Sequence, residues 1–88
     1  MKTYDFLEQF MVIEGHLFSL APDFNKRQGL FNLLKYLKSN NKLGEDLLSD
    51  IFLVMQTRNK IMSTPSLSKD ISDDIANKIT DIKSKLGI

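Results

Sequence analysis

Residues 45–62, EDLLSDIFLVMQTRNKIM, decide the fold of this chain. At about 100° per residue, the apolar positions of this stretch fall on one side of an α-helix. Those positions are Leu47, Leu48, Ile51, Phe52, Val54, Met55, Ile61 and Met62. Glu45 and Asp46 occupy the first turn, where the helix dipole favours negative charge. Pro65 disfavours helical backbone at Thr64 and so ends the helix. The stretch therefore predicts a long amphipathic helix that buries its apolar face against other elements.

The rest of the sequence predicts three further helices, at about Thr3–Leu20, Lys26–Ser39 and Ser72–Leu86. Thr3 and Ser72 are predicted as N-caps, because a short hydroxyl side chain accepts a hydrogen bond from the free N–H groups of the first turn. The connections between the helices are short, which favours neighbouring helices that run antiparallel. We therefore predict an all-α protein, a small antiparallel four-helix bundle.

The predicted core comes from the apolar faces of the other three helices. In the first helix, that face consists of Phe6, Leu7, Phe10, Met11, Ile13, Leu17, Phe18 and Leu20. In the second helix it consists of Leu30, Leu33, Leu34 and Leu37, and in the fourth of Ile71, Ile75, Ile79, Ile82 and Leu86. The fourth stripe is narrow, which predicts a helix packed on the outside of the others.

Composition excludes several kinds of function. The chain has 88 residues, a net charge of +1, no cysteine and one histidine. This length allows one domain, over residues 1–88. The lack of cysteine excludes disulfides, thiolate zinc sites and a cysteine nucleophile, and a single histidine excludes a His-rich metal site. We predict no metal ion and no cofactor, and the charge balance indicates no general polyanion partner.

Membrane association and secretion are not expected from the sequence. No segment has the roughly 18 consecutive apolar residues of a membrane span. The first residues, Met1–Asp5, do not resemble a secretory signal, since they are polar and no cleavage site follows an apolar run. We therefore expect a cytoplasmic protein.

Two charged residues fall on predicted apolar faces. Arg58 lies near the middle of the apolar face of the third helix, and Glu14 lies inside the apolar arc of the first. A buried charge costs several kcal/mol unless it is paired or reaches water. Each side chain can reach water near a helix end, the two can form an ion pair across the bundle, or both can line a polar cleft. The sequence leaves these three alternatives open.

The segment Arg58-Asn59-Lys60-Ile61-Met62-Ser63 resembles the signature region of HEPN domains, a family of small helical bundles. The family's motif is an arginine, usually followed by a polar residue such as asparagine, and then a histidine after four to six positions. Arg58 and Asn59 match the motif, and the order of the four helices is similar to that of the family over the whole chain. In a purely structural interpretation, Asn59 caps the last turn or bonds to a neighbouring helix.

The resemblance implies a chemistry that this chain has in part. Active HEPN proteins are metal-independent ribonucleases in which the histidine handles the proton of an attacking 2′-hydroxyl and the arginine steadies the phosphate. Imidazole titrates near neutrality and guanidinium binds phosphate through two hydrogen bonds, so both roles are physically reasonable. Arg58, Asn59 and Lys60 are therefore candidates for binding a phosphate or a partner. The positions that this spacing allows for the histidine hold Ser63, Thr64 and Pro65; a serine has no basic form near pH 7 and cannot act as a general base.

Arg58, Asn59 and Ser63 thus remain only candidate catalytic residues, and the resemblance implies a HEPN-like domain that has lost its base. His16 lies at the polar edge of the apolar face of the first helix. We interpret it as a surface or hydrogen-bonded histidine, with a catalytic role or a partner contact as alternatives.

A basic stretch from Lys26 to Lys42 has a structural and a functional interpretation. It holds five basic residues and no acid. It is either a solvated surface, balanced by acidic residues after it such as Asp50, or a weak, salt-sensitive nucleic-acid surface. The first is favoured, because the sequence shows no exposed aromatic residues interleaved with the charges.

Leu53, Phe31 and Tyr36 lie off the apolar faces of their helices and are candidates for an interface. A chain this small often gains stability from a partner, so we expect a homodimer or a complex with another protein chain. The predicted function is a catalytically degenerate HEPN-like interaction or regulatory module; the resemblance implies a prokaryotic or phage defence or toxin–antitoxin setting. One alternative is a metal-independent endoribonuclease that binds RNA through Arg58 and Asn59 and uses an unidentified base. Another is an unrelated small helical adaptor.

Overall fold

The computed structural model describes residues 1–63 and 70–88 of the chain, which form four α-helices and a short 3-10 helix. The helices are α1 (Thr3–Ser19), α2 (Gly29–Ser39), α3 (Glu45–Ser63) and α4 (Asp73–Leu86), with the 3-10 helix at Lys26–Gln28. The predicted all-α four-helix bundle is confirmed. The helix end predicted at Thr64 and Pro65 lies outside the described residues.

One apolar core joins the helices. In the described part of the chain, every buried residue is apolar. These residues are Phe6, Phe10, Ile13, Leu17, Ala21, Leu33, Leu34, Leu37, Leu43, Leu48, Ile51, Val54, Ile71, Ile79 and Ile82. Helix α4 packs against α3 and α1 and contributes Ile79 and Ile82, both of which are fully buried. The amphipathic spacing therefore predicts most of the core correctly.

The two ends of α4 follow the sequence prediction. The Ser72 hydroxyl accepts a hydrogen bond from the Ile75 N–H at 3.4 Å, as an N-cap does. Gly87 ends the helix in the left-handed conformation, with a φ of 76° that a residue without a side chain adopts at little cost.

The prediction that Thr3 caps α1 is wrong. Lys2 is the N-cap residue and makes no side-chain cap bond, and the Thr3 hydroxyl is buried without a hydrogen-bond partner among the described residues. Lys2 pairs with Asp70 in an antiparallel bridge, which holds the backbone extended at residue 2. Thr3 therefore becomes the first helical residue, and its side chain is no longer in the capping position.

The second predicted helix is divided in two. The chain forms the 3-10 turn at Lys26–Gln28 and then begins α2 at Gly29, where φ is 87°. Other residues are strained at this φ, whereas glycine is not. The break at Gly29 turns the start of α2 towards α1 and α3, where Gly29 lines a cavity between these helices.

Two residues of the predicted core lie at the surface. Met11 is 69% exposed and Met62 is 59% exposed. Met11 lies at the margin of the apolar arc of α1, and Met62 lies in the last turn of α3. Helical spacing places both on an apolar side, but no other described element covers them.

Candidate functional site

Arg58 lies in the C-terminal half of α3 on the side that faces α1, where its side chain is half-buried. Its guanidinium carbon is 5.9 Å from the centre of the Phe10 ring, a distance at which a cation is attracted to the ring face. Its Nη1 donates a hydrogen bond of 3.1 Å to the Asn59 side-chain oxygen. Two contacts thus orient the guanidinium, and neither is with a carboxylate.

Two cavities adjoin Arg58. The first, of about 330 Å³, is lined by Phe10, Glu14, Gln28, Gly29, Leu30, Phe31, Met55, Arg58 and Asn59. The second, of about 200 Å³, is lined by Leu7, Phe10, Met11, Glu14, Arg58 and Met62. Because they share Phe10, Glu14 and Arg58, the two cavities lie on either side of these three residues. We call the residues that line both cavities the Arg58 groove.

Glu14 and Arg58, the two charges singled out on apolar faces, therefore meet in the walls of one groove. They do not form an ion pair within 4.0 Å; the ion pairs of the described residues join Asp50 to Lys78 and Lys85. Both side chains are partly exposed and line one groove, which excludes the ion pair and leaves access to water and a polar cleft as the two interpretations.

Ser63 and Lys60 are exposed and lie outside the groove. The Ser63 hydroxyl donates a hydrogen bond of 3.2 Å to the Lys60 carbonyl in its own helix. Since α3 continues through Ser63, five residues separate its side chain from Arg58 by about 140° around the helix axis. Ser63 is thus directed away from Arg58, and Thr64 and Pro65, the other two positions that the motif allows for the histidine, lie outside the described residues.

His16 is half-buried on α1 and does not line the Arg58 groove. Two residues along an α-helix correspond to about 200°, so His16 and Glu14 lie on nearly opposite sides of α1. The imidazole therefore cannot substitute within this chain for the missing histidine at Arg58.

The three candidate interface residues are exposed but do not share one surface. Phe31 is 51% exposed, lines the first cavity and packs edge-on against Phe52 at 5.7 Å between ring centres. Tyr36 packs against Phe24 at 5.3 Å. Phe31 and Tyr36 are about 140° apart on α2, and Leu53 is exposed on α3. Of the three, only Phe31 belongs to the Arg58 groove.

The basic stretch differs from its predicted interpretation in two ways. Asp50, which was expected to balance the positive charge of this stretch, instead accepts a hydrogen bond of 3.0 Å from Lys78 of α4. Phe31 and Tyr36 are exposed aromatic residues among the charges, and the Lys35 ammonium lies 4.8 Å from the Phe31 ring centre. A cation and an aromatic ring therefore flank the first cavity.

Sequence reasoning missed the exposed methionines of the groove. A signal for them exists in α1, where five residues follow the 3-4-3-4 spacing of a heptad seam: Tyr4, Leu7, Met11, Glu14 and Phe18. Leu7 and Phe18 of this seam pack against the core, while Tyr4 and Met11, two turns apart on the same side of α1, are exposed. Exposed apolar side chains on one side of a helix indicate a further contact surface.

Metal binding and membrane crossing find no support in the described part of the chain. It contains no group of three or more acidic or histidine side chains arranged to hold a metal ion. Its helices lack the combination of length and apolar character that crossing a membrane requires.

Comparison with known protein families, curated proteins and solved structures gives no match to this chain. The kinship with HEPN domains therefore stays a prediction from the Arg58-Asn59 segment.

Proposed function

We propose that this protein is a HEPN-like helical bundle that acts as an interaction or regulatory module and does not cleave RNA. Its proposed partner is a second copy or another protein chain in the cytoplasm, and its proposed setting is prokaryotic or phage defence, including toxin–antitoxin systems. The observation that carries this proposal is the Arg58 groove, which holds an oriented guanidinium among apolar and polar side chains but no imidazole.

Two features support binding rather than catalysis. Ser63 is hydrogen-bonded within its own helix and lies off the groove, and His16 lies on the far side of α1. When a 2′-hydroxyl attacks the adjacent phosphate, a general base must accept its proton, and neither residue lies where it could do so. The exposed Met11 and Met62 beside Arg58 are typical of a surface that a partner covers.

One observation favours a second candidate function, a metal-independent endoribonuclease. Glu14 lines both cavities together with Arg58, so a carboxylate is available beside the group that could steady a phosphate. A carboxylate can act as a general base when it reaches the proton that it removes. In this alternative, Glu14 is the base that the sequence left unidentified, and Arg58 and Asn59 bind the phosphate.

Incubation of the purified protein with single-stranded RNA in EDTA separates the two functions. The proposed function predicts intact RNA with the wild type and with Arg58→Ala and Glu14→Gln. Cleavage by the wild type that both substitutions abolish would contradict it and establish the ribonuclease. Cleavage that persists in both variants indicates a contaminating nuclease. Lys42→Met, a substitution outside the groove, is the matched control and is expected to behave as the wild type does.

The oligomeric part of the proposal is tested separately. Light scattering after size exclusion measures the mass of the wild type and of Leu53→Asp, an exposed position on α3. A homodimer through Leu53 predicts that the variant is a monomer. A wild-type monomer removes the homodimer and leaves another protein chain as the partner. The unrelated adaptor is favoured instead if Arg58→Met leaves folding, assembly and partner binding unchanged.

A further inference from the structure

We propose that the Arg58 groove binds an acidic peptide segment of another protein, with one apolar side chain in each cavity and a carboxylate between them on Arg58. The inference rests on the proposed interaction function and names the chemistry of its partner. It follows from the residues that line the groove, where the two cavities share Phe10, Glu14 and Arg58 and each also has apolar side chains of its own.

Both ends of the groove contain apolar, adaptable side chains. The first end combines Leu30, Phe31 and Met55 with the polar Gln28 and Asn59, and the second is formed by Leu7, Met11 and Met62. Methionine side chains adjust to differently shaped partners. The cavities of about 330 and 200 Å³ lie near or below the lower limit of small-molecule sites, so each suits a single side chain.

The middle of the groove is prepared for one carboxylate. A guanidinium has five N–H donors, and the Asn59 side chain accepts from one of the Arg58 nitrogens. The Phe10 ring beneath the guanidinium limits its orientation. A carboxylate is the group that a planar guanidinium binds best through two parallel hydrogen bonds.

Glu14 favours a peptide over a nucleic acid as the occupant. It shares the groove wall with Arg58, so the formal charges at the midpoint cancel. Glu14 repels the carboxylate of a peptide as it repels a phosphate, but a nucleic acid carries a negative charge at every nucleotide along the groove and has no backbone N–H donor. A peptide brings a single carboxylate to Arg58 together with backbone N–H groups from which Glu14 can accept hydrogen bonds.

The surroundings attract an acidic segment as a whole. Helix α2, whose first residues line the first cavity, lies in the acid-free stretch from Lys26 to Lys42. Lys35 stands over Phe31 at the edge of that cavity, where it can meet a further acidic side chain of the partner. Complementary charge of this kind speeds association and weakens with added salt.

A displayed library of random 12-residue peptides tests the inference. Selection on immobilised wild-type protein, with counter-selection on Arg58→Met, is expected to enrich an aspartate or glutamate between two apolar residues at a fixed spacing. The consensus peptide and its Asp→Asn or Glu→Gln counterpart are then compared by fluorescence anisotropy. We expect the loss of the carboxylate, or of Arg58, to weaken binding about 10-fold or more.

Met62 provides a charge test that does not depend on a core change, because this side chain is 59% exposed. Met62→Asp and Met62→Lys both remove the methionine from the second cavity, so the charge effect is the difference between them: Met62→Lys is expected to bind the consensus peptide about 10-fold more tightly than Met62→Asp at low salt. Lys42→Met, outside the groove, is the matched control that removes one positive charge. It is expected to change affinity less than 2-fold, roughly the effect of one distant surface charge.

Several outcomes would overturn the inference. They are no enrichment, enriched peptides without an acid, an affinity unchanged by Arg58→Met, or a 12-nucleotide oligouridine that binds more tightly than the consensus peptide. A wild-type dimer that Met62→Asp converts to a monomer would assign the groove to a second copy instead. None of these experiments measures RNA cleavage. Failure of the peptide inference is therefore distinguishable from failure of the proposed non-catalytic function.

Discussion

Helix α3 carries two charged side chains on its packed side, Asp50 and Arg58, and they differ in whether an oppositely charged group pairs with them. Asp50 accepts a hydrogen bond of 3.0 Å from Lys78 and lies 3.9 Å from the Lys85 ammonium, and both lysines belong to α4. Arg58, two turns further along, has the Asn59 amide as its hydrogen-bond partner and no carboxylate within ion-pair distance among the described residues. The first charge is satisfied inside the chain and contributes to the docking of α4. The second is oriented but left available, which is typical of a group that meets a partner.

The apolar residues near the two charges also differ in their exposure to solvent. Near Asp50, α3 is covered by α4, and Ile51 is 1% exposed. Near Arg58, Met62 of α3 and Met11 of α1 are exposed, although their spacing is that of core residues. One half of α3 is therefore closed by the fold, and the other half is open towards the Arg58 groove.

The largest expected effect is on stability in the closed half. Ile51→Ala should lower the free energy of unfolding by about 2–5 kcal/mol, because it removes a buried side chain and leaves a cavity. Met62→Ala should change it by about 0.5 kcal/mol or less, since that side chain is exposed. Urea denaturation of both variants measures the contrast. Equal losses would mean that Met62 is covered in solution and that the groove is not open.

The two charges should respond differently to neutral isosteres. Asp50→Asn should lower the melting temperature, because Lys78 and Lys85 then lose their anion. Arg58→Met should leave stability within about 0.5 kcal/mol of the wild type or raise it, because an apolar side chain suits the Phe10 contact as well as the guanidinium does. Thermal denaturation compares the two. A larger loss with Arg58→Met than with Asp50→Asn would make Arg58 a structural residue.

The Lys78–Asp50 pair also predicts a pH dependence of stability. The hydrogen bond to Asp50 and its negative charge raise the pKa of Lys78 above its ordinary value of 10.5. A group whose pKa is raised by folding stabilises the native state below the unfolded pKa and loses that contribution as pH rises through the folded one. The stability difference between wild type and Asp50→Asn should therefore be constant from pH 8 to about pH 10 and shrink above pH 10.5. A difference that stays constant as the pH rises well past 10.5 would show that Lys78 is not its source.

The sequence predicts burial correctly around the closed half of α3 and less well around its open half. Ile51, Ile79 and Ile82 follow from helical spacing alone, because each lies at the centre of a stripe that any partner helix must cover. Met11 and Met62 lie at the margin or the end of such stripes. Whether a marginal residue is covered depends on the length, rotation and axial offset of neighbouring helices, which periodicity does not fix.

The same limit applies to the groove itself. Sequence reasoning identified Glu14 and Arg58 as charges on apolar faces but could not choose between water, an ion pair and a cleft. That choice depends on how far α1 and α3 are displaced along each other, which helical periodicity does not fix. Thr3 was mispredicted for the same reason, since a distant strand-like pairing overrode a local capping preference.

The smallest expected effect comes from restoring the family's histidine. Ser63→His recreates the spacing of Arg58 and a histidine five residues later, and similarity of motif alone predicts a gain of RNA cleavage. The structure predicts none, because position 63 is exposed in α3 and about 140° around the helix from Arg58. Incubation with single-stranded RNA in EDTA measures the outcome, with Ser63→Ala as the control. Cleavage by Ser63→His that Arg58→Ala abolishes would mean that the end of α3 rearranges in solution, and it would favour an inactivated nuclease over a surface shaped for binding.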